Sequence, residues 1–219
     1  MISSDRHQVI GLGGSFDHFH AGHAFFLRFA AQHGQKLLVG ITSPALTQKK
    51  EYVQSIQAWE ERATQVWEFL HREGIPHQIF ALSDVYGPTL TNPEITALAV
   101  TEHTVQGGEV INHARLEKGL SKLPVYVSPM LRDQTGHVIS STRIRAGEID
   151  RQGHVYAQLW QRPVVLDEEQ KKFFGQAQGE IIQQPGEYTA LRCVVGDVVL
   201  ETFLEKKWPF SVGIFDRVS

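Results

Sequence analysis

A doubly wound α/β sheet of five parallel strands is the fold class this chain predicts, and three observations predict it. Short apolar runs alternate with amphipathic stretches of helical period, the pattern of parallel strands joined by right-handed crossovers. The first strand runs through Val9-Ile10-Gly11-Leu12 into Gly13-Gly14-Ser15 and then a helix, an arrangement that brings backbone N–H groups to a bound phosphate. The 219 residues are 42% hydrophobic and 21% charged, which is enough apolar material for a real core.

Each element follows from its pattern. After the opening strand, residues 21–32 read as a helix, because Phe25, Phe26, Phe29 and Ala30 recur at helical spacing and His33-Gly34 ends the run. Residues 36–41 form a second buried strand, and a polar loop over 42–52 carries Lys49 and Lys50. Ile56, Trp59, Ala63, Val66, Trp67 and Leu70 mark one face of an amphipathic helix over 55–73, closed by Gly74 and Pro76. A third strand over 78–82 leads into Ser83-Asp84-Val85-Tyr86-Gly87-Pro88-Thr89. Residues 97–100 and 124–127 supply the fourth and fifth strands, with a helix over 109–118 between them. Ligands of such sheets gather beyond the carboxyl ends of the strands at the switch point. Ser15 to His23, Lys49 to Tyr52 and Asp84 to Thr89 are all expected there.

Beyond residue 160 the pattern changes. Arg162-Pro163 marks a break, 167–174 reads as a short helix and Gln184-Pro185-Gly186 as a turn. Residues 190–195 read as strand, Gly196-Asp197 as a turn, 198–207 as helix and 211–215 as strand. The expected division is therefore 1–160 for the main domain and 161–219 for a smaller, partial α/β segment. No internal repeat stands out.

Composition excludes several function classes. A net charge of −3 and a pI near 6.4 give no basic footprint for general nucleic-acid binding. Cys193 is the only cysteine, so no internal disulfide forms and a reducing, cytoplasmic location is expected. It lies in the apolar run Leu191-Arg192-Cys193-Val194-Val195 and reads as a buried strand residue rather than a nucleophile. No apolar run approaches a membrane span, and Met1-Ile2-Ser3-Ser4-Asp5 is unlike a signal peptide.

Two stretches carry chemistry. In Gly13-Gly14-Ser15-Phe16-Asp17-His18-Phe19-His20-Ala21-Gly22-His23, two glycines admit a ligand to the backbone and two imidazoles follow at the helix start. His18 belongs either to this site or to its rim. In Ile139-Ser140-Ser141-Thr142-Arg143-Ile144-Arg145, three hydroxyls precede two guanidinium groups, which suits a second anion site. The alternative there is a capped surface helix with solvated arginines. Hydroxyls, imidazoles, lysines and arginines together fit phosphoryl or nucleotidyl transfer, which asks mainly for positioning and charge stabilisation. A dinucleotide fingerprint is disfavoured because Phe16 stands where its third glycine belongs, and no P-loop is present. Zinc on His20 and His23 is disfavoured by their spacing and by the lack of a Cys/His cluster.

The two stretches resemble the HxGH and ISSTxIR motifs of the nucleotidyltransferases, and His20 and Ser140 stand 120 residues apart in the matching order. Trp59-Glu60-Glu61-Arg62, Asp84-Val85-Tyr86-Gly87-Pro88-Thr89 and Arg145-Ala146-Gly147-Glu148-Ile149-Asp150 are similar to the archaeal and eukaryotic phosphopantetheine adenylyltransferases. The resemblance covers residues 9–153 and implies a Rossmann-like sheet of the nucleotidyltransferase type. It implies transfer of an adenylyl group from ATP, with Mg²⁺, to 4′-phosphopantetheine, giving dephospho-CoA and pyrophosphate. Carried over by position, it implies catalytic roles for His20, His23, Arg145 and Lys49, and ATP contacts from Gly13, Gly14, Ser15, Phe16, His23, Ser140, Ser141, Thr142 and Arg143. Ser15, Lys50 and Asp84 would meet the acceptor, and the choice between Lys49 and Lys50 for the phosphates stays open. No side-chain metal ligand is implied. Ser15 replaces the commoner threonine of the motif and keeps its hydroxyl. A related enzyme with another acceptor, cytidylyl-transferring or FAD-forming, and a non-catalytic nucleotide-binding regulator are the alternatives.

The tail carries a second resemblance. Val194-Val195-Gly196-Asp197-Val198-Val199 and Ser211-Val212-Gly213-Ile214-Phe215-Asp216 are similar to the start of the archaeal GTP-dependent dephospho-CoA kinases. It implies a GTP site at Asp197, Val198, Val199 and Asp216, with Val218 where that family has lysine. The alternative is an appendage used for packing or oligomerisation.

Overall fold

The computed structural model describes residues 6–146 and 148–154, together with the strand backbones of 160–163, 178–183, 189–195, 198–204 and 211–213. The chain divides into two compact units, Met1–Lys49 with Gln57–Leu131, and Lys50–Ile56 with Arg132–Ser219.

The first unit is built as expected. Strands β1 (His7–Gly14), β2 (Gly34–Thr42), β3 (His77–Leu82), β4 (Ile95–Thr101) and β5 (Val125–Ser128) form one sheet in the order β3-β2-β1-β4-β5. Every pairing is parallel. Helices α1 (Ala21–His33), α2 (Trp59–Arg72) and α3 (Val105–Glu117) provide the crossovers. The order reverses between β1 and β4, so the switch point lies beside the carboxyl end of β1. Ser15 to His23 follow β1 directly, the loop leading to Lys49 follows β2, and Asp84 follows β3.

Both faces of the sheet are buried, which is why its strands read as continuous apolar runs rather than alternating ones. On one face Ile10, Leu12, Leu37, Val39 and Ile41 pack with Phe26 and Leu27 of α1 and Val66, Phe69 and Leu70 of α2. On the other, Val9, Leu38, Ile95 and Leu98 pack with Ile111 of α3. Neighbouring residues of β1 thus serve opposite cores, since side chains alternate across a strand.

Several boundaries differ from the sequence reading. Helix α2 begins at Trp59 rather than at residue 55, because Val53–Ser55 forms a separate 3-10 turn entered through a left-handed Tyr52 (φ 51°). Helix α3 begins four residues earlier than residue 109 and takes in Gly107 and Gly108. There Gly108 faces Val125 and Val100, with its would-be Cβ 3.3 Å and 3.5 Å from their methyl groups, so close packing offsets the low helix propensity. Gly34 ends α1 as expected, but in an extended conformation (φ −129°) that passes straight into β2. Glycine is needed there for room, since a Cβ would fall 2.4 Å from Cγ1 of Ile10.

In the second unit α4 (Ser141–Arg145) is followed by strands β6 (Trp160–Pro163), β7 (Gln178–Gln183), β8 (Thr189–Val195), β9 (Val198–Leu204) and β10 (Ser211–Gly213). They form a second sheet in the order β10-β9-β8-β7-β6, with every neighbour antiparallel. This corrects the helix expected over 198–207: residues 198–204 are strand. Val198, Val199, Thr202 and Phe203 are β-branched or aromatic, and Val195 pairs directly with Val198, the close separation that favours a hairpin over a crossover. Among the described residues of 160–219 there is no helix, so the partial α/β character expected of this stretch is not found there. The helix expected over 167–174, the turn at 184–186, and Asp197, Asp216 and Val218 lie outside the described residues. No helix among the described residues is long and apolar enough to cross a membrane.

Replacing Gly34 by alanine drives a methyl group into Ile10, an overpacking strain worth about 1–3 kcal/mol. Urea unfolding of Gly34→Ala is expected to show a lowered midpoint at unchanged slope.

Candidate active site

The turn leaving β1 holds an unfavourable backbone. Phe16 (φ 49°) and His18 (φ 45°) are both left-handed without being glycine, a conformation of order 1 kcal/mol or more above the ordinary one. It persists because its surroundings determine it. Phe16, Asp17 and His18 are buried to 1%, 0% and 3% exposure, and the turn is tied down by α2 and the segment before it. Gln57 N donates to Asp17 Oδ1 at 2.9 Å, His18 N to Gln57 Oε1 at 2.7 Å, and Phe19 N to Gln65 Oε1 at 3.2 Å.

Arg62 is the centre of this anchoring, and its side chain is 1% exposed. Its Nη1 donates to the carbonyl of Ser15 at 2.7 Å, Nη2 to that of Thr42 at 2.9 Å, and Nε to that of Gln57 at 3.1 Å. One guanidinium therefore joins the ends of β1 and β2 to the start of α2. Burial lowers its pKa from the ordinary value, while the charges of Asp17 and then Glu60 oppose that. The sequence reading quoted Arg62 without giving it a role. A signal was present: Trp59, Arg62, Ala63, Val66, Phe69 and Leu70 follow helical spacing, so Arg62 is a charge within the apolar stripe.

Two imidazoles leave this anchored turn. His20 is the N-cap of α1, and its Nδ1 accepts from Gly22 N at 3.1 Å. With Nδ1 accepting, the neutral ring carries its proton on Nε2, which makes that atom a donor. His23 lies one turn on and stacks against His20, with ring centroids 3.8 Å apart and planes 24° off parallel. Phe16 and Phe19 flank His23 at 5.2 Å and 5.7 Å, and Phe19 rests on Phe69 of α2 at 5.1 Å. Gly13 is exposed and Gly14 half-buried; a Cβ on Gly14 would meet the Phe16 ring at 3.0 Å. The turn thus brings Gly13, Gly14, Ser15, Phe16, His20 and His23 into one stretch between β1 and the first turn of α1.

Other predicted residues are placed differently. Lys49 and Lys50 are both exposed, and they fall in different units of the chain. Asp84 shapes its own loop: Oδ1 accepts from Tyr86 N at 2.8 Å and from Gly87 N at 2.7 Å, ahead of the left-handed Gly87.

In the second unit Ser140 caps α4, its hydroxyl accepting from Arg143 N at 3.4 Å. The two arginines of this motif have different surroundings. Arg143 donates to Asp133 Oδ2 at 2.7 Å, to Glu148 Oε2 at 2.9 Å and to the Val138 carbonyl at 2.9 Å. Burial alone would lower the Arg143 pKa, and the bonds to Asp133 and Glu148 more than reverse this. Arg145, buried, donates through Nε to the Glu51 carbonyl at 3.3 Å and through Nη2 to Thr142 Oγ1 at 3.2 Å. Asp133 is a residue that the sequence reading missed. The Thr135 hydroxyl first, then Arg143 and the N–H groups of Thr135 and His137, hold its carboxyl well below the usual range against the opposing effect of burial.

Two consequences can be measured. Arg62→Ala takes one buried guanidinium away from three partly buried carbonyls, and chemical unfolding is expected to show a loss of about 3 kcal/mol. A depressed carboxyl pKa stabilises the fold above the unfolded-state value, and that contribution disappears as pH falls through the folded-state value. Asp133→Asn should therefore be less stable than the parent at neutral pH, and the gap should narrow as pH falls below the ordinary carboxylate range and close only once it passes the lower folded-state value.

The cytidylyltransferase-like family matches residues 12–147. The phosphopantetheine adenylyltransferase of Saccharomyces cerevisiae is 38% identical over 149 residues, covering 65% of this chain and 49% of that protein. That of Pyrococcus horikoshii is 34% identical over 150 residues, covering 68% of this chain and 95% of the relative. The chain therefore spans about half of the yeast relative's length and nearly all of the archaeal one's. Among solved structures, a protein with unknown function from Archaeoglobus fulgidus superposes with a TM-score of 0.50 at 27% identity, over 55% of this chain and 88% of that one. With a five-stranded parallel sheet, an anchored histidine turn after β1 and these relatives, the chain belongs to the cytidylyltransferase-like family, on its phosphopantetheine adenylyltransferase branch.

Proposed function

We propose that this protein transfers the adenylyl group of ATP to 4′-phosphopantetheine, releasing pyrophosphate and forming dephospho-CoA. The observation that carries the reading is the stacked His20–His23 pair at the start of α1, with Nδ1 of His20 occupied by the Gly22 N–H. With Nδ1 accepting that N–H, the neutral ring is in the tautomer whose Nε2 can donate to a phosphoryl oxygen.

In the reaction an oxygen of the acceptor phosphate attacks the α-phosphorus. A P–O bond forms there as the bond to the bridging oxygen of pyrophosphate breaks, and the leaving group carries away the electron pair. Charge spreads over the phosphoryl oxygens, and the protein's task is to hold the groups in line and stabilise that charge. Gly13 and Gly14 let the triphosphate approach the backbone, and the Ser15 hydroxyl and Phe16 border it. His20 and His23 donate to the α-phosphoryl oxygens. Ser140, Ser141, Thr142 and Arg145 hold the β- and γ-phosphates, and Arg143 contributes from behind them. Lys49 or Lys50 neutralises phosphate charge, with Ser15, Lys50 and Asp84 on the acceptor side. No nucleophilic side chain is required.

Magnesium would enter as part of the substrate, bound to ATP oxygens, since Mg²⁺ commonly keeps its waters and takes phosphate ligands. Among the described residues no group of three or more His, Cys, Asp or Glu is placed to hold a metal. Asp17, the carboxylate nearest in sequence to the histidine pair, is buried and accepts the Gln57 N–H.

The protein is expected to release pyrophosphate and form dephospho-CoA when given ATP, Mg²⁺ and 4′-phosphopantetheine, and a panel of other nucleotides and phosphorylated acceptors should react more slowly. Absence of product at high enzyme concentration would sink the reading. His23→Ala should lower kcat by about 10²–10³, while calorimetric ATP affinity changes far less.

A further inference from the structure

The chain makes one turn twice, on either side of the hydroxyl-rich motif. Asp133-Gln134-Thr135-Gly136-His137 and Asp150-Arg151-Gln152-Gly153-His154 share the pattern Asp-x-x-Gly-His. In each, the aspartate N–H donates to the histidine carbonyl, at 2.8 Å and 3.0 Å, and the glycine N–H returns to the aspartate carbonyl, at 3.0 Å and 3.1 Å. Both glycines are left-handed, at φ 84° and 90°. In the first turn Asp133 Oδ1 accepts the N–H groups of Thr135 and His137 at 2.8 Å and 3.1 Å. In the second, Asp150 Oδ1 accepts those of Gln152 and His154 at 2.7 Å and 2.8 Å. The turns also touch: a Cβ on Gly153 would lie 2.4 Å from Ile139 Cδ1 and 3.6 Å from Asp133 Cβ. The second turn is therefore seated on the first and on the residue that opens the motif.

They differ at the other carboxylate oxygen. Asp150 Oδ2 is taken up within its own turn, 2.6 Å from His154 Nδ1. In the first turn Thr135 occupies the place of Gln152; its hydroxyl donates to Asp133 Oδ1 at 2.7 Å and lies 2.9 Å from His137 Nδ1. His137 is thereby engaged elsewhere, and Asp133 Oδ2 binds Arg143 at 2.7 Å. Arg143 is the residue whose backbone N–H holds the Ser140 hydroxyl. A hydroxyl at the third position thus turns a self-contained turn into one that reaches out and grips the motif.

We propose that Asp133 is a positioning residue for triphosphate binding, acting through Arg143 to preset the hydroxyls of Ser140, Ser141 and Thr142, with the second turn bracing it. This rests on the reading in which that motif holds the β- and γ-phosphates. Groups held in their bound arrangement beforehand lose less conformational freedom when the ligand arrives.

The test compares the parent protein with Asp133→Asn, Arg143→Gln, the double variant and Thr135→Val, by calorimetry with ATP and Mg²⁺ alone, by KM for each substrate, and by thermal unfolding. Asp133→Asn and Arg143→Gln are each expected to weaken ATP binding about tenfold, roughly the loss of one charge-assisted hydrogen bond, and to raise KM for ATP while that for the acceptor holds. The double variant should bind ATP no more weakly than Arg143→Gln, because the two residues act as one unit. Thr135→Val, which frees His137 Nδ1 to turn to Asp133 Oδ2 as His154 does to Asp150 in the second turn, should weaken ATP binding in the same direction by a smaller factor and lower Tm. Parent-like ATP affinity in folded Asp133→Asn or Arg143→Gln, or losses that multiply in the double variant, would overturn the proposal. Calorimetry needs no acceptor, so failure of the adenylyl-transfer reading would show separately, as ATP binding without product in the parent protein.

Discussion

The histidine turn after β1 depends on one buried guanidinium. Arg62 binds three main-chain carbonyls belonging to the end of β1, the end of β2 and the approach to α2. Two left-handed residues in the turn between β1 and α1 raise its energy locally, and bonds from Gln57, Gln65 and Arg62 compensate. The result is a backbone that delivers His20 to the N-cap of α1 with one ring nitrogen already committed. Geometry at the histidines is thus decided by a residue on a different element.

Sequence periodicity made the parallel sheet legible because both its faces are buried, so each strand is an uninterrupted apolar run, and the glycine turn after β1 punctuates the first of them. The candidate residues were legible too, since His20 and His23 lie in one short motif and the Ser140–Thr142 hydroxyls in another. What the pattern could not show was the supporting layer. Arg62 looks like one more charge on an amphipathic helix until its three carbonyl partners, two of them twenty or more positions away, are in view. Asp133 looks like a turn residue until its second oxygen is seen on Arg143. Such partners are joined by tertiary proximity, which local pattern does not encode.

The later stretch was misread for a different reason. Residues 198–204 follow Val195 after two positions, and the alternation of strand and helix earlier in the chain favoured another crossover. Antiparallel pairing of Val195 with Val198 prevailed because the intervening separation suits a hairpin and the residues that follow are β-branched or aromatic. The same physical preference that built the first sheet, strands of high β propensity seeking partners, produced a different topology once the crossover length was absent.

Arg62 recognises the turn through main-chain oxygen atoms, and this has an evolutionary consequence. At Ser15 and Thr42 the anchor is indifferent to which side chain is attached, because every residue offers the same carbonyl. Those two positions, at the carboxyl ends of adjacent strands, can drift in size and polarity while the strut stays intact. Scaffold and side chain are therefore separable at these two positions, and a lineage could change what they present without first loosening the frame that orients its histidines.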